Sequence, residues 1–468
     1  MTTPVTPAPP SGAPSQGADS LLLEPSGSGK PPWQRFVANE DFRRAVGCLA
    51  GFLVLAVMTG PSGSQGAPTS GFTGSLFNPR VFWFIGLAAV LWGAMTLRRR
   101  YSATIKTWND KALALPRRLL PDTRVRYGAY FVLLVFAIVY PMHISGFWQE
   151  VAVQQIGVYV LLAIGLNVVV GYAGLLDLGY VAFYAIGAYS AAFWTGAMPM
   201  HLPFHLNPFW TIPLAILAAM LAGVILGVPT LRLRGDYLAI VTLGFGEIIS
   251  IVAQNLTSIT GGPGGVLGIP HFSVHLLGVH YVWGLGNLPY YYLLLGFVVL
   301  ILIFFHSLEN SRVGRAWTAI REDEVAAQAS GINVLKYKVM AFAIGASTAG
   351  FAGVLTSSQV SYIEPADFTY QLSILILVLV IFGGMGSLPG AVLGAAVLQW
   401  FPQFLRLHPL FGFQQQDLYV YLGALLVVMM IFRPEGILPS KRRKREIGLA
   451  EHGVGSADAM TTSTAEVQ

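Results

Sequence analysis

Acidic residues inside strongly apolar sequence are the first groups in this chain able to do chemistry. Asp177 and Glu247 each lie within a long apolar run. A carboxylate at the centre of a membrane helix costs about 2.5–3.5 kcal/mol, so it must face protein or water. Glu247 could hold a substrate ammonium or serve as a paired structural group. Asn167 and Gln254 are the neutral polar candidates in similar runs. A substrate carboxylate would instead be met by backbone N–H groups where a helix is interrupted. Gly171, Gly174, Gly384 and Gly386 mark such interruptions, because freed backbone groups survive in lipid only when buried or lining a cavity. The same glycines could equally serve close helix packing.

Other chemistries find no support. Ser28-Gly29-Lys30 has Glu24 where a phosphate loop needs glycine and Pro31 where it needs Ser or Thr. Any ATP hydrolysis therefore belongs to another chain. His201 and His205 flank the helix-breaking Pro203, and His271, His275 and His280 lack carboxylate or thiol neighbours. No metal site, catalytic residue or cofactor is expected, and the chain reads as a non-enzyme.

The elements that must position these groups follow from composition. Of 468 residues, 54% are hydrophobic and 11% charged, against roughly 25% charged in soluble domains. Mean hydropathy is +0.62. That excludes an ordinary soluble enzyme, and a single cysteine, Cys48, excludes a disulfide scaffold. The fold class is all-α, a polytopic membrane protein of about 10–12 transmembrane helices with broken or re-entrant segments. Candidate spans are 45–59, 81–97, 127–142, 151–171, 175–197, 209–228, 238–256, 288–306, 339–358, 372–384, 388–405 and 418–432, the tenth and eleventh short enough to form one broken unit. With twelve spans, 26 of the 28 basic residues fall on one side, leaving only Arg80 and Arg406 on the other. Positive charge marks the cytoplasm, which puts both termini there. The basic cluster Lys441–Arg445 reads as an anchor on anionic membrane lipid, not a nucleic-acid site.

The expected organisation is a disordered tail over 1–32, a two-helix extension with a basic loop over 33–126, a permease core over 127–433 and a flexible basic tail over 434–468. Within the core, 307–338 is too polar to span. Helix formers, an acidic start near Glu322 and Gly331 as a stop predict a short helix over Glu322–Ser330.

Five segments then carry a family resemblance: Gly165–Tyr189, Leu231–Glu247, Ile259–Gly265, Gly314–Glu324 and Phe382–Gly390. Together they resemble branched-chain amino-acid ABC-transporter permeases of the LivM type, over about residues 30–440. Glu324, Ala326, Ala327 and Gly331 resemble a degenerate EAA loop, with Val325 as an inserted residue. The resemblance implies a leucine, isoleucine and valine importer. Its partners would be a LivH-like permease subunit, two ABC ATPases and a periplasmic or extracellular amino-acid-binding protein, in the bacterial inner membrane. It also implies ATPase coupling through Arg321, Glu322, Glu324, Ala326, Ala327 and Gly331. The translocation path would draw on Asn167, Gly171, Gly174, Asp177, Glu247, Gln254, Gly384 and Gly386. Urea or short amides are an alternative substrate class, and ion-coupled secondary transport an alternative mechanism.

Overall fold

The computed structural model describes residues 123–199, 205–230, 236–276, 279–284, 286–407 and 436–438, with a few isolated positions besides. The candidate spans at 45–59, 81–97 and 418–432, and both tails, lie outside the continuous described segments. The chain divides into two units, 1–116 and 117–468, and the continuous described segments belong to the second.

Eleven α-helices longer than a single turn, numbered here from the described residues, follow in chain order; a one-turn helix, Thr257–Thr260, lies between the fifth and sixth. The eleven are α1 (Thr123–Val139), α2 (Gly146–Tyr172), α3 (Tyr180–Trp194), α4 (Pro208–Thr230), α5 (Asp236–Asn255), α6 (Asn287–Glu309), α7 (Arg312–Glu322), α8 (Glu324–Ala329), α9 (Val334–Val360), α10 (Tyr370–Gly383) and α11 (Leu388–Leu407). Among the described residues, six helices are long and apolar enough to cross a membrane: α2, α4, α5, α6, α9 and the segment Pro365–Gly383 that contains α10. Two ribbons of antiparallel strand are added to this helical frame. β1 (Val266–Leu267) pairs with β4 (Tyr362–Ile363), and β2 (Ser273–Leu276) with β3 (Val279–Val282).

The packing centre is α9, which lies against α2, α3 and α4. Helices in lipid gain little from hydrophobic transfer and instead depend on close van der Waals approach through small residues. The buried part of α9 is accordingly rich in Ala341, Gly345, Ala346, Ala349, Gly350, Ala352 and Gly353. A methyl group at Gly187 of α3 would overlap the backbone of Gly350. One at Gly353 would overlap the Tyr184 carbonyl. Tyr180 then fastens α3 to α9, donating to the Gly345 carbonyl at 2.9 Å.

α10 and α11 pack on each other and on α2. The sequence left open whether they form one broken unit. They are two helices meeting at a sharp turn, Gly384–Ser387, with Gly383 pressed against Gly390. α2 is itself irregular. It widens into π-type turns at Val151–Gly157 and Asn167–Tyr172, the second ending in an extended segment that runs to α3. Wide turns of this kind are frequent at functional sites.

Candidate functional site: a junction of two interrupted helices beneath a polar hairpin

The polar segment after α6 folds by successive caps. Ser311 caps α7, its hydroxyl accepting from Val313 N–H at 3.1 Å. Gly314, Ala316, Trp317 and Ile320 form the buried face of α7. Asp323 then adopts an extended backbone and caps α8, accepting from Val325 and Ala326 N–H at 2.8 and 2.9 Å. The single helix expected over Glu322–Ser330 is therefore split at Asp323: a carboxylate able to accept two N–H groups ends one helix and starts the next. Gly331 does act as the stop. With φ at +82°, it lets Ile332 N–H reach the Ala327 carbonyl and its own N–H reach that of Gln328, a Schellman closure. Asn333 caps α9 in turn.

This hairpin is tied to the transmembrane body at two places. The first is the start of α9. Trp317, fully buried, donates from Nε1 to the Tyr337 carbonyl at 2.7 Å. Glu324 meets Lys338 with 2.8 Å between Oε2 and Nζ; the lysine side chain is 5% exposed and the carboxylate 33%. Glu324 thus fastens α8 to α9. Glu322, Val325, Ala326 and Gln328 face outward beside it, while Ala327 is buried. A cleft of about 530 Å³ opens between α8 and α9, lined by Glu324, Gln328, Gly331–Leu335 and Lys338.

The second tie is Arg321. Its Nη1 donates to the carbonyl of Gly171, in the wide turn that ends α2. Its methylenes lie over Gly174, which has φ +72° and no room for a Cβ. Beside them, the fully buried Asn167 accepts from Gly386 N–H at 2.8 Å. A methyl on Gly171 would overlap both Asn167 Oδ1 and the Gly386 amide, and one on Gly386 would sit 3.1 Å from Arg321 Nη1. Asn167, Gly171, Gly174 and Gly386, picked from the sequence as path candidates, therefore converge on Arg321, picked as a coupling residue. Gly384 stands one step away, against Gly436.

The remaining candidates lie elsewhere. Asp177 is fully buried in the extended segment before α3, accepting from Gly179 N–H at 2.9 Å. Thr242 of α5 braces that segment by accepting from Leu178 N–H at 3.1 Å. Asp177 thus closes a local turn with one oxygen, its other oxygen has no hydrogen-bond partner among the described residues, and the structure does not join it to Glu247. Glu247 is half-buried, near the middle of α5, and hydrogen-bonds to none of the described residues. Gln254, two turns on, is exposed, with a long contact of 3.4 Å to Ser250. Both lie on the side of α5 that carries the exposed Ile240, Ile248 and Ile251.

Sequence reading missed Lys338, Trp317 and Thr242. Lys338 is the last residue of the stretch 307–338 that is too polar to span, and the apolar run that follows it gave no sign that it starts inside the fold. The histidines form no metal cluster among the described residues. His271 bonds the Ser358 carbonyl at 2.8 Å.

Long apolar helices, two of them interrupted and joined beneath a capped polar hairpin, define a multi-pass membrane permease. The family model described as branched-chain amino acid transport system / permease component matches residues 151–432, and the chain belongs to that family. It is 39% identical over 381 residues to the high-affinity branched-chain amino acid transport system permease protein LivM of Escherichia coli, covering 77% of this chain and 85% of that one. The LivM protein of Salmonella typhimurium is 38% identical over 379 residues, with the same coverage. The LivH permease of Escherichia coli is 26% identical over 294 residues, covering 60% of this chain and 91% of that one. No solved structure matches.

Proposed function

We propose that this chain is one of two permease subunits of an ATP-driven importer of branched-chain amino acids in the bacterial inner membrane. The observation that carries the reading is the capped hairpin α7–α8. It presents an outward polar surface on one side and is bonded to the interrupted helices on the other. Such a hairpin suits docking of an ATPase. Glu322, Ala326 and Gln328 would meet that partner, while Glu324, Ala327 and Gly331 hold the hairpin in shape. Similarity to LivH as well as LivM supports pairing with a LivH-like subunit. The Glu247 side of α5 would face that subunit, because a mid-helix carboxylate turned to lipid is costly. A soluble amino-acid-binding protein would deliver substrate at the opposite end, near Gly261–Gly265. The hairpin end, and both termini, would be cytoplasmic.

Reconstitution tests this. Proteoliposomes holding this chain, a LivH-like permease, both ATPases and the binding protein should take up leucine only with ATP inside the ATPase compartment. Uptake by this chain alone, driven by a pH gradient, would overturn the reading. Uptake of urea with exclusion of leucine would replace the substrate class.

A further inference from the structure

We infer that Arg321 is the residue through which motion of the docking hairpin reaches the two interrupted helices. The inference rests on the ATP-driven reading above and assigns its transmission step to one side chain.

The geometry is specific. Arg321 sits in the last turn of α7, immediately before the Asp323 elbow. Its guanidinium does not face outward with Glu322. It turns inward to the Gly171 carbonyl at the end of α2. The C-terminal end of a helix carries unsatisfied carbonyls and partial negative charge, which a cation stabilises. A guanidinium, planar and always charged, holds such a carbonyl with a fixed direction. The same turn of α2 is bound through Asn167 to Gly386, in the turn between α10 and α11. Gly171 and Gly386 are in backbone contact, so one side chain reaches both breaks at once.

The remainder of the hairpin is held differently. Trp317 and Glu324 fix it to the start of α9, whose body is packed throughout by α2, α3 and α4. That attachment is a pivot. Rotation of the hairpin about it would displace Arg321, and with it the Gly171 carbonyl, while the packed core stays in place. Interfaces with discrete packing pass on small displacements because they do not deform continuously.

The test uses the complete importer with Cys48→Ser and a spin label at Leu176→Cys, an exposed position in the segment following Gly171. In the parent complex, the label's mobility should change between nucleotide-free and ATP-trapped states. With Arg321→Ala, that change should vanish. Leucine uptake should fall about tenfold or more while ATP hydrolysis stays within about twofold. Arg321→Lys, which keeps the charge but loses the planar fork, should fall between. The inference is overturned if Arg321→Ala keeps both the mobility change and uptake. It is equally overturned if uptake and hydrolysis drop together while the mobility change persists, since that would make Arg321 an ATPase contact or a structural prop. If the alanine variant does not assemble, Arg321→Lys decides, and an unchanged spectral response there overturns the assignment. A parent complex without ATP-dependent uptake would refute the ABC reading itself.

Discussion

The junction around Gly171 and the outward side of α5 hold polar groups in opposite ways. At the junction, Asn167, Gly386, Gly171 and Arg321 bond to one another within the chain. On α5, Glu247 has no hydrogen bond to any described residue, and Gln254 has only a long contact to its own helix. Buried polar groups must be partnered, and freed backbone groups in a bilayer more strictly than elsewhere. The first region is bonded largely within the chain, apart from the buried Asn167 Nδ2, which has no partner among the described residues; in the proposed assembly, the second would find its partners on another subunit. Substitutions at the first should damage folding and transport together, and at the second transport alone.

The largest effect is expected from Gly386→Val. Its φ of +77° costs a branched residue about 1–2 kcal/mol, and overpacking against Gly171 adds about 1–3 kcal/mol. Thermal unfolding of the purified complex should shift sharply down, with uptake lost. Asn167→Leu comes next: it removes the acceptor of the Gly386 N–H and should cost about 1–3 kcal/mol. An unchanged melting temperature would show the junction to be pliable and would erase the contrast.

A smaller effect is expected at the Glu324–Lys338 pair. Glu324→Gln leaves the buried Lys338 ammonium poorly partnered; because the carboxylate is one-third exposed, the loss should be about 1 kcal/mol, well below that of a fully buried pair. Adding Lys338→Met should recover part of it, which a double-mutant cycle would read. The smallest stability effect belongs to Glu247→Gln, within about 0.5 kcal/mol, since its side chain has no hydrogen bond or ion pair among the described residues to lose. Its leucine uptake should nevertheless fall. A melting shift as large as that of Asn167→Leu would contradict the comparison.

Much of the frame was legible from residues alone. Long apolar runs located α2, α4, α5, α6, α9 and α10, and Gly331 announced the end of α8; the run 175–197, expected as one span, opens with a non-helical segment and becomes helical only at Tyr180. The glycines had two candidate uses, and both occur. Gly187 serves close packing against Gly350, whereas Gly171, Gly174 and Gly386 build the broken junction. Periodicity could not separate the two, because the distinction lies in which neighbour fills the space and that neighbour is distant in sequence. The split at Asp323 was hidden for a different reason. An acidic residue near a helix start favours the helix macrodipole, and as a cap it also ends the preceding helix, so one residue type supports both readings. Lys338 was missed because its burial depends on Glu324 arriving from another helix.

The short ribbon of β1 with β4 has a mechanical consequence. Val266 pairs with Ile363 and Leu267 with Tyr362, and Gly268 N–H reaches the Ser361 carbonyl at 3.0 Å. These bonds stitch the loop that follows α5 to the loop between α9 and α10, at the end of the bundle far from the hairpin. The two loops cannot separate without rupturing main-chain hydrogen bonds, so they travel as one plate. A mouth at that end must therefore open along a seam other than the one between these loops.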